Sequence, residues 1–273
     1  MKRSVGLGAH AALLVLLCPA AAQTPAARSD SAPPQSLIQD LVAANRILYH
    51  QGIVDGYGHV SVRHPARPDR FLISEAKAPG RVTADDIMEF DLDGNAVDRR
   101  GRPIYQKRFI HSEIYRARAD VNAVVHSHSP TVIPFSVTQV PLKPIRGPFL
   151  YPEVPVFDTR AAAGWTNLLV STPALGKALA QTLGQNSVAL MRGHGNVVVA
   201  PNVRTVVYRA IYTEANAKLL LQAKMLGGPI TYLAPEEAAL MDKEQVRHRP
   251  GHGSDRTWEM WKQEALARTG KLR

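Results

Sequence analysis

Cysteine is nearly missing from this chain, since Cys18 is the only one among 273 residues. One cysteine cannot form an intramolecular disulfide or a thiolate ligand set, which excludes a disulfide scaffold and a cysteine-rich metal site. Aromatic residues make up only 6% of the chain. They are not interleaved with basic residues in the way that is typical of nucleic-acid-binding surfaces. Any metal site must therefore use ligands other than thiolate.

Acidic residues are also few, with 23 Asp and Glu against 33 Lys and Arg, which gives a formal net charge of +10. An excess of positive charge attracts anionic ligands over long distances. The basic residues are scattered rather than clustered, so a nucleic-acid partner is not expected. The charge balance favours anionic ligands, and a solvated basic surface without a specific ligand is the alternative.

Long hydrophobic runs are absent as well, and the N-terminus carries the pattern of a secretory signal peptide. Lys2 and Arg3 precede an apolar run at residues 11–17, and small residues at 20–22 form a cleavage site before Gln23. The run is too short to span a membrane, although an N-terminal anchor is the alternative. We predict a signal peptide at 1–22, export to the periplasm or medium, and no membrane association after its removal.

The rest of the chain reads as one mixed α/β domain at residues 35–273, after a flexible Ala- and Pro-rich tail at 23–34. No internal repeat or interdomain linker interrupts it. The hydrophobic periodicity predicts helices at 36–48, 108–118, 173–183 and 203–226, and strands at 59–63, 70–74, 87–92, 121–125, 187–191 and 197–200. The Pro-rich stretch 141–155 is expected to form a lid or a wall of the site.

Histidines occur at the ends of two predicted strands. His126 and His128 follow the apolar run that begins at Val121, and a strand's period of two directs both imidazoles to one side. His-x-His alone leaves two readings open, a pair of metal ligands or ordinary hydrogen-bonded histidines. His194 stands in the turn between two later strands, where it is either a third ligand or a capped turn residue. The combination favours a three-histidine metal site.

Five motifs resemble the class II aldolase and adducin superfamily. They are G-H-V-S-V-R from Gly58, D-L-D-G-N from Asp91, F-I-H-S-E-I-Y from Phe109 with H-S-H-S-P after it, R-G-H-G from Arg192, and Y-R-A-I-Y from Tyr208. The resemblance implies a three-layer α/β/α fold around a mostly antiparallel sheet. It also implies a divalent metal on His126, His128 and His194, and a homotetramer with active sites at subunit interfaces.

The chain departs from the family pattern at the acidic residue that serves the sugar-phosphate enzymes, because Lys107 stands there. A lysine near a dication and a helix N-terminus should have a lowered pKa. It could donate a proton or bind a substrate carboxylate, or it could be an exposed residue beside an inactive site. Glu113 could replace the missing acid, but its helical phase also fits a surface or interface position.

A second departure concerns the turns that hold phosphate in the family. His59 replaces an asparagine ahead of Ser61, and the next turn reads Ser74-Glu75-Ala76-Lys77, in which Glu75 would repel an anion. We therefore expect His59, Ser61 and Ser74 to bind a substrate that carries no phosphate.

Together these features predict a metal-dependent carbon–carbon lyase, with decarboxylation favoured over retro-aldol cleavage, on a hydroxy-carbonyl or hydroxyaromatic carboxylate. The motif pattern is closer to the hydroxyaromatic-acid decarboxylase branch than to the sugar branch. Zinc is the expected metal, with manganese, cobalt or iron as alternatives. Tyr208, Tyr212 and Trp258 are candidate aromatic walls, and helix-core packing is the favoured alternative for the two tyrosines. The rival functions are an adducin-like scaffold without catalysis and an iron-dependent oxygenase.

Overall fold

Seven short strands form one sheet in this computed structural model, which describes Met1 and residues 32–151, 154–246 and 254–269. The strands are β1 His59–Arg63, β2 Arg70–Ser74, β3 Ile87–Asp91, β4 Ala123–Ser127, β5 Val156–Phe157, β6 Val188–Met191 and β7 Gly195–Ala200. Their order across the sheet is β3-β2-β1-β4-β7-β6-β5. Only β5 and β6 pair in parallel, so the prediction of a mostly antiparallel sheet is confirmed.

Helices cover both faces of the sheet. They are α1 Gln35–His50, α2 Phe109–Ala117, α3 Thr159–Ala163, α4 Pro173–Leu183, α5 Val203–Leu226, α6 Pro235–Val246 and α7 Ser254–Thr269. Helices α1, α5 and α7 pack with one set of strand side chains, while α2 and α4 pack with the other. Each set forms its own hydrophobic core, so the expected α/β/α layering is confirmed.

Strand alternation assigns each residue of β1 and β4 to one of these cores. Val60 and Val125 lie in the core beneath α1 and α5, whereas Val124 lies in the core beneath α2. Because the side-chain period is two, His126 shares the α2 side with Val124. Ser61 pairs with Val124 and His59 pairs with His126 across the two strands. The polar residues of β1 and β4 therefore meet beneath α2.

Side-chain caps fix the starts of two helices near their predicted positions. The Asn202 side chain accepts a hydrogen bond of 2.9 Å from the Thr205 N–H at the start of α5. The Thr172 hydroxyl accepts one of 3.3 Å from the Leu175 N–H at the start of α4. Both caps satisfy N–H groups that have no partner inside the helix.

Several expectations differ from the structure. Strand β4 extends through His126 to Ser127, two residues beyond the predicted end, because it pairs with both β1 and β7. The prediction that 141–155 forms a lid or site wall is wrong, since Leu142, Phe149 and Leu150 are buried in the α1/α5 core. The short elements β5 and α3 carry too few residues to show a period, and the sequence did not predict them.

The predicted signal peptide and residues 23–31 of the predicted tail lie outside the described residues. No helix in the described ranges is both long and apolar enough to cross a membrane. Export and assembly into a tetramer stay predictions.

Helix α4 packs closely against α2 at Gly176. A Cβ atom at Gly176 would collide with the Phe109 carbonyl oxygen and press on Glu113. We therefore expect Gly176→Ala to lower the free energy of unfolding by about 1–3 kcal/mol, despite the better helix propensity of alanine. Urea denaturation measures the change. Lys177→Ala, at the exposed neighbouring position, is the control, and an equal loss in both variants would contradict this packing.

Candidate metal centre

Three imidazoles converge at the end of β4. His126 lies in β4, His128 comes directly after the last residue of β4, and His194 lies in the turn between β6 and β7. Their candidate ligand nitrogens all lie within 4.8 Å of one another, and their ring centroids are 5.0–5.2 Å apart. Three imidazoles with an open fourth position form a ligand set that zinc and other first-row metals accept. The structure thus brings together the three histidines that the sequence predicted.

The Nδ1 atom of each ring faces an oxygen acceptor. His126 Nδ1 donates to the Asn196 carbonyl at 3.2 Å, and His194 Nδ1 donates to the Leu168 carbonyl at 2.8 Å. His128 Nδ1 donates to Asp55 Oδ1 at 3.1 Å. With the proton on Nδ1, each Nε2 atom carries a lone pair. Within the described residues the buried Nε2 atoms of His126 and His128 have no hydrogen-bond partner, so the donor set fits a metal ion.

Burial keeps these imidazoles neutral. It lowers the pKa of His126 well below the usual value, with a further contribution from His59. It also lowers the pKa of His128, and that of His194 to about 4. The lone pairs are therefore available at neutral pH without the loss of a proton.

The backbone near His194 has positive φ angles and a close approach between strands. Gly193 has a φ of 63°, in the left-handed region that favours glycine. Gly195 lies so close to β4 that a Cβ atom would collide with the Ser127 carbonyl oxygen. Leu168, whose carbonyl accepts from His194, also has a positive φ, of 65°. Such conformations are costly for residues with a side chain and cluster at functional sites.

Lys107 lies beside the three histidines, in the turn Gln106–Arg108 that precedes α2. Its Nζ atom is 3.5 Å from His194 Nε2. Burial lowers the pKa of Lys107, and the charge of Asp55 partly opposes that shift. The pKa of Lys107 is thus lowered, as expected from the sequence. The cause is desolvation by burial rather than a nearby dication or helix N-terminus. The catalytic role of Lys107 stays a prediction.

A cavity of about 700 Å³ opens onto the site, and Lys107, His128 and His194 are part of its lining. Tyr57 and Tyr105 provide aromatic surface on its wall. The Tyr105 hydroxyl is held by a 2.6 Å hydrogen bond to the Lys77 carbonyl. The volume is within the range of pockets that bind small molecules.

The predicted substrate-binding residues His59, Ser61 and Ser74 are buried, and none of them is among the described residues that line the cavity. Ser74 is buried, with its hydroxyl 3.4 Å from that of Tyr105. His59 is 1% exposed, and its ring centroid is 5.1 Å from that of His126. The Ser61 hydroxyl is hydrogen-bonded to His111 and Tyr115. Substrate binding by these three residues stays a prediction.

Glu113 is turned towards α4 rather than into the cavity. Its carboxylate contacts Arg116 at 3.4 Å, and its side chain packs near Gly176. This position agrees with the alternative that Glu113 belongs to a packing interface. A role as the catalytic acid stays a prediction that no contact among the described residues supports.

The candidate aromatic walls pack elsewhere. Trp258 is fully buried in the core beneath α1 and α5, so its prediction as a wall is wrong. Tyr208 and Tyr212 stack on each other with centroids 4.4 Å apart and pack against the same core. The aromatic surface of the cavity comes instead from Tyr57 and Tyr105.

Sequence reasoning did not identify Asp55, His111 and Tyr115 as part of the site. A signal existed for two of them, because Lys107, His111 and Tyr115 are spaced four residues apart and thus share one face of α2 and its preceding turn. Asp55 lies in a loop and carries no such pattern. Hydrogen bonds from the Tyr57 N–H and His128 outweigh the effect of burial and lower its pKa.

Comparison with known proteins shows the family of this chain. The family model described as Class II Aldolase and Adducin N-terminal domain matches residues 39–221. The chain is 34% identical over 256 residues to Decarboxylase tropJ of Talaromyces stipitatus, covering 85% of this chain and 95% of that protein. It is 32% identical over 214 residues to a 3,4-dihydroxyphthalate decarboxylase of Arthrobacter keyseri, covering 73% and 83%. An aldolase II superfamily protein from Pseudomonas syringae has a similar structure, with a TM-score of 0.72, 26% identity, and coverage of 88% and 96%.

Buried His111 predicts a pH dependence of stability. Burial lowers its pKa from 6.5 to about 3, so below pH 6.5 the unfolded chain binds a proton that the native protein does not. Stability should therefore fall as the pH decreases from 6.5 towards 3. In His111→Gln this contribution is removed, and the slope should be smaller by about 1.4 kcal/mol per pH unit. Urea denaturation of metal-free protein between pH 4.5 and 6.5 measures it. Ser112→Ala should keep the wild-type slope, and an unchanged slope in His111→Gln would contradict the prediction.

Proposed function

Because the chain belongs to the class II aldolase and adducin family, we propose that it is a metal-dependent decarboxylase of a hydroxyaromatic carboxylic acid. Two relatives above 30% identity are named decarboxylases, which supports a lyase. The observation that carries the proposal is the position of Lys107, whose Nζ atom lies 3.5 Å from the ligand nitrogen of His194. A lysine that would donate the proton thus lies beside the candidate metal centre.

The ligand set suits an anionic substrate. His126, His128 and His194 would hold the ion as neutral imidazoles, so they would leave its double charge uncompensated. When bound, a divalent metal would supply a Lewis acid that stabilises negative charge on a substrate oxygen. Lys107 adds a further positive charge at the same place. Adjacent hydroxyl and carboxylate oxygens on an aromatic ring match this concentration of charge.

Decarboxylation requires little from the protein besides charge stabilisation and a proton. Lys107 would first transfer a proton to the ring carbon that carries the carboxylate, while an electron pair of the ionised hydroxyl group moves towards the ring and that oxygen becomes a carbonyl oxygen. The bond between the ring carbon and the carboxylate carbon then breaks, carbon dioxide leaves, and the bonding electron pair restores the aromatic ring and the phenolate. No base has to remove a proton from carbon, and Asp55 is already hydrogen-bonded to His128 and to the Tyr57 backbone. A lysine in place of an acid is consistent with this chemistry.

The cavity supports a ring-shaped and unphosphorylated substrate. Tyr57 and Tyr105 line it, and aromatic side chains pack well on planar rings. Glu75, in the turn where relatives hold phosphate, would repel a phosphate group. A scaffold function, by contrast, gives no reason for three imidazoles whose Nε2 lone pairs converge.

Replacement of Lys107 tests the proton donor. With 3,4-dihydroxyphthalate as the probe, we expect the zinc-, manganese-, cobalt- or iron-loaded protein to release carbon dioxide. Lys107→Met should reduce kcat by about 10²–10⁴-fold, which is the usual contribution of a positioned proton donor. Its metal content should be unchanged, because lysine is not a ligand. Lys177→Met, an exposed lysine on α4, is the matched control.

Two results would contradict the proposal. Wild-type kcat in Lys107→Met would remove this residue from the reaction. Cleavage of L-fuculose 1-phosphate, with no carbon dioxide released from hydroxyaromatic acids by any metal form, would favour an aldolase instead.

A further inference from the structure

We propose that Lys107 and Asp55 adjust the metal affinity of the three-histidine site in opposite directions. Lys107 opposes metal binding at the lone pair of His194, whereas Asp55 strengthens the metal-binding nitrogen of His128. The inference rests on the metal site of the proposed function. It does not depend on the substrate, because metal affinity can be measured without turnover.

The contact between Lys107 and His194 has only one possible direction. The Leu168 carbonyl oxygen can only accept a hydrogen bond, so His194 Nδ1, which lies 2.8 Å from it, carries the ring proton. The Nε2 atom of the neutral ring is then an acceptor, and the Lys107 amine donates to it at 3.5 Å. The buried Nε2 atoms of His126 and His128, by contrast, have no partner in the described part of the chain.

This hydrogen bond is long and therefore weak, so a metal ion could displace it at little cost. The charge of the amine is the larger obstacle. A divalent ion that takes the lone pair of His194 would lie close to the ammonium group of Lys107, and two cations at such a distance repel each other. The three imidazole ligands are neutral and do not offset that repulsion.

The charge of Lys107 is also left uncompensated by an ion pair. Lys77, the other lysine of the cavity wall, is paired with Asp86 at 2.7 Å, but no carboxylate in the described ranges forms such a pair with Lys107. Besides burial, the charge of Lys107 lowers the pKa of His128 and of His194. The field that disfavours a proton on these rings would also disfavour a metal ion between them.

Asp55 acts in the opposite sense through His128. His126 and His194 donate to neutral backbone carbonyls, whereas His128 donates to the Asp55 carboxylate at 3.1 Å. A carboxylate acceptor orients an imidazole ligand and raises its basicity. The Tyr57 N–H donates to the same Asp55 oxygen at 2.8 Å, which holds the carboxylate in place behind the ring.

Replacement of Lys107 tests the first half of the proposal. Competition with a chromophoric zinc chelator at pH 7.5 measures the dissociation constant of zinc. Lys107→Met and Lys107→Gln remove the charge at similar size, so each should bind zinc at least tenfold more tightly than the wild type. All of these proteins should hold one zinc ion per chain at saturation. A gain in affinity is diagnostic, because a disturbed fold would lose metal instead.

Two controls separate the local charge from other effects. Lys107→Arg keeps the charge and should show no gain in affinity. Lys177→Met removes one positive charge from the exposed side of α4, so it should keep the wild-type dissociation constant. Weaker binding in both Lys107→Met and Lys107→Gln would make the amine a metal ligand and overturn the proposal, and unchanged binding in both would overturn it as well.

Replacement of Asp55 tests the second half. Asp55→Asn keeps an oxygen that accepts from His128 but removes the negative charge, so the dissociation constant of zinc should rise about tenfold, at the low end of the usual effect of such partners. Asp85→Asn is the matched control, because Asp85 is exposed and is not among the described residues of the cavity wall. Equal affinity in Asp55→Asn and the wild type would contradict this half.

The outcomes distinguish this inference from the proposed function. The predicted changes in zinc affinity, together with no release of carbon dioxide from any hydroxyaromatic acid, would support the inference and reject the decarboxylase. Release of carbon dioxide with the same zinc affinity in every variant would reject the inference alone. A wild-type protein and variants that all fail to bind zinc, manganese, cobalt or iron would reject both.

Discussion

Three hydrogen bonds from imidazole Nδ1 atoms determine what this site can bind. In each of them a neutral ring donates its single N–H proton. The acceptors are the Asn196 carbonyl, the Leu168 carbonyl and the Asp55 carboxylate. The three lone pairs that remain point to a common centre. Burial lowers the pKa of all three rings, so protonation does not compete at neutral pH. The candidate metal centre follows from the way in which these protons are satisfied.

The sheet supplies the precision that this arrangement needs. Strand β4 is central, paired with β1 on one side and β7 on the other. Its register places His126 opposite His59 in β1. The next residue, Ser127, pairs with Asn196 in β7. Helix α2 lies over the same face and contributes His111 and Tyr115, and the turn before it contributes Lys107. The three metal-site imidazoles, the Lys107 amine and the hydrogen-bonded side chains of His59 and His111 therefore meet at one end of the strand pair.

Much of the fold and of the three-histidine site could be predicted from the sequence. The periods of two and 3.6 residues locate the principal strands and helices, and the alternation of β4 brings His126 and His128 to one side. The motif order predicts His194 as the third ligand, and Lys107 stands where the family pattern places an acid. The positions of the elements and the proximity of the three histidines are confirmed, because they depend on local periodicity and on the order of motifs along the chain; the roles of His194 and Lys107 stay predictions.

Contacts that depend on tertiary packing were not predictable. The burial of Leu142 and Phe149 depends on where these side chains meet the core, and the partner of His128 depends on the path of the loop that carries Asp55. The buried series of hydrogen bonds from His59 through His111 and Ser61 to Tyr115 also joins residues that are far apart in the sequence. Trp258 and Glu113 are compatible with a site by residue type alone, and only packing places them elsewhere.

X-ray absorption of zinc-loaded protein tests the central claim, a metal held by His126, His128 and His194, most directly. The account predicts one zinc ion per chain with three imidazole nitrogens at about 2.0–2.1 Å and the remaining position filled by oxygen. His194→Ala should lose one nitrogen from this shell or lose the metal. Less than about half a metal ion per chain after reconstitution with zinc, manganese, cobalt or iron, or a shell of oxygens alone, would contradict it.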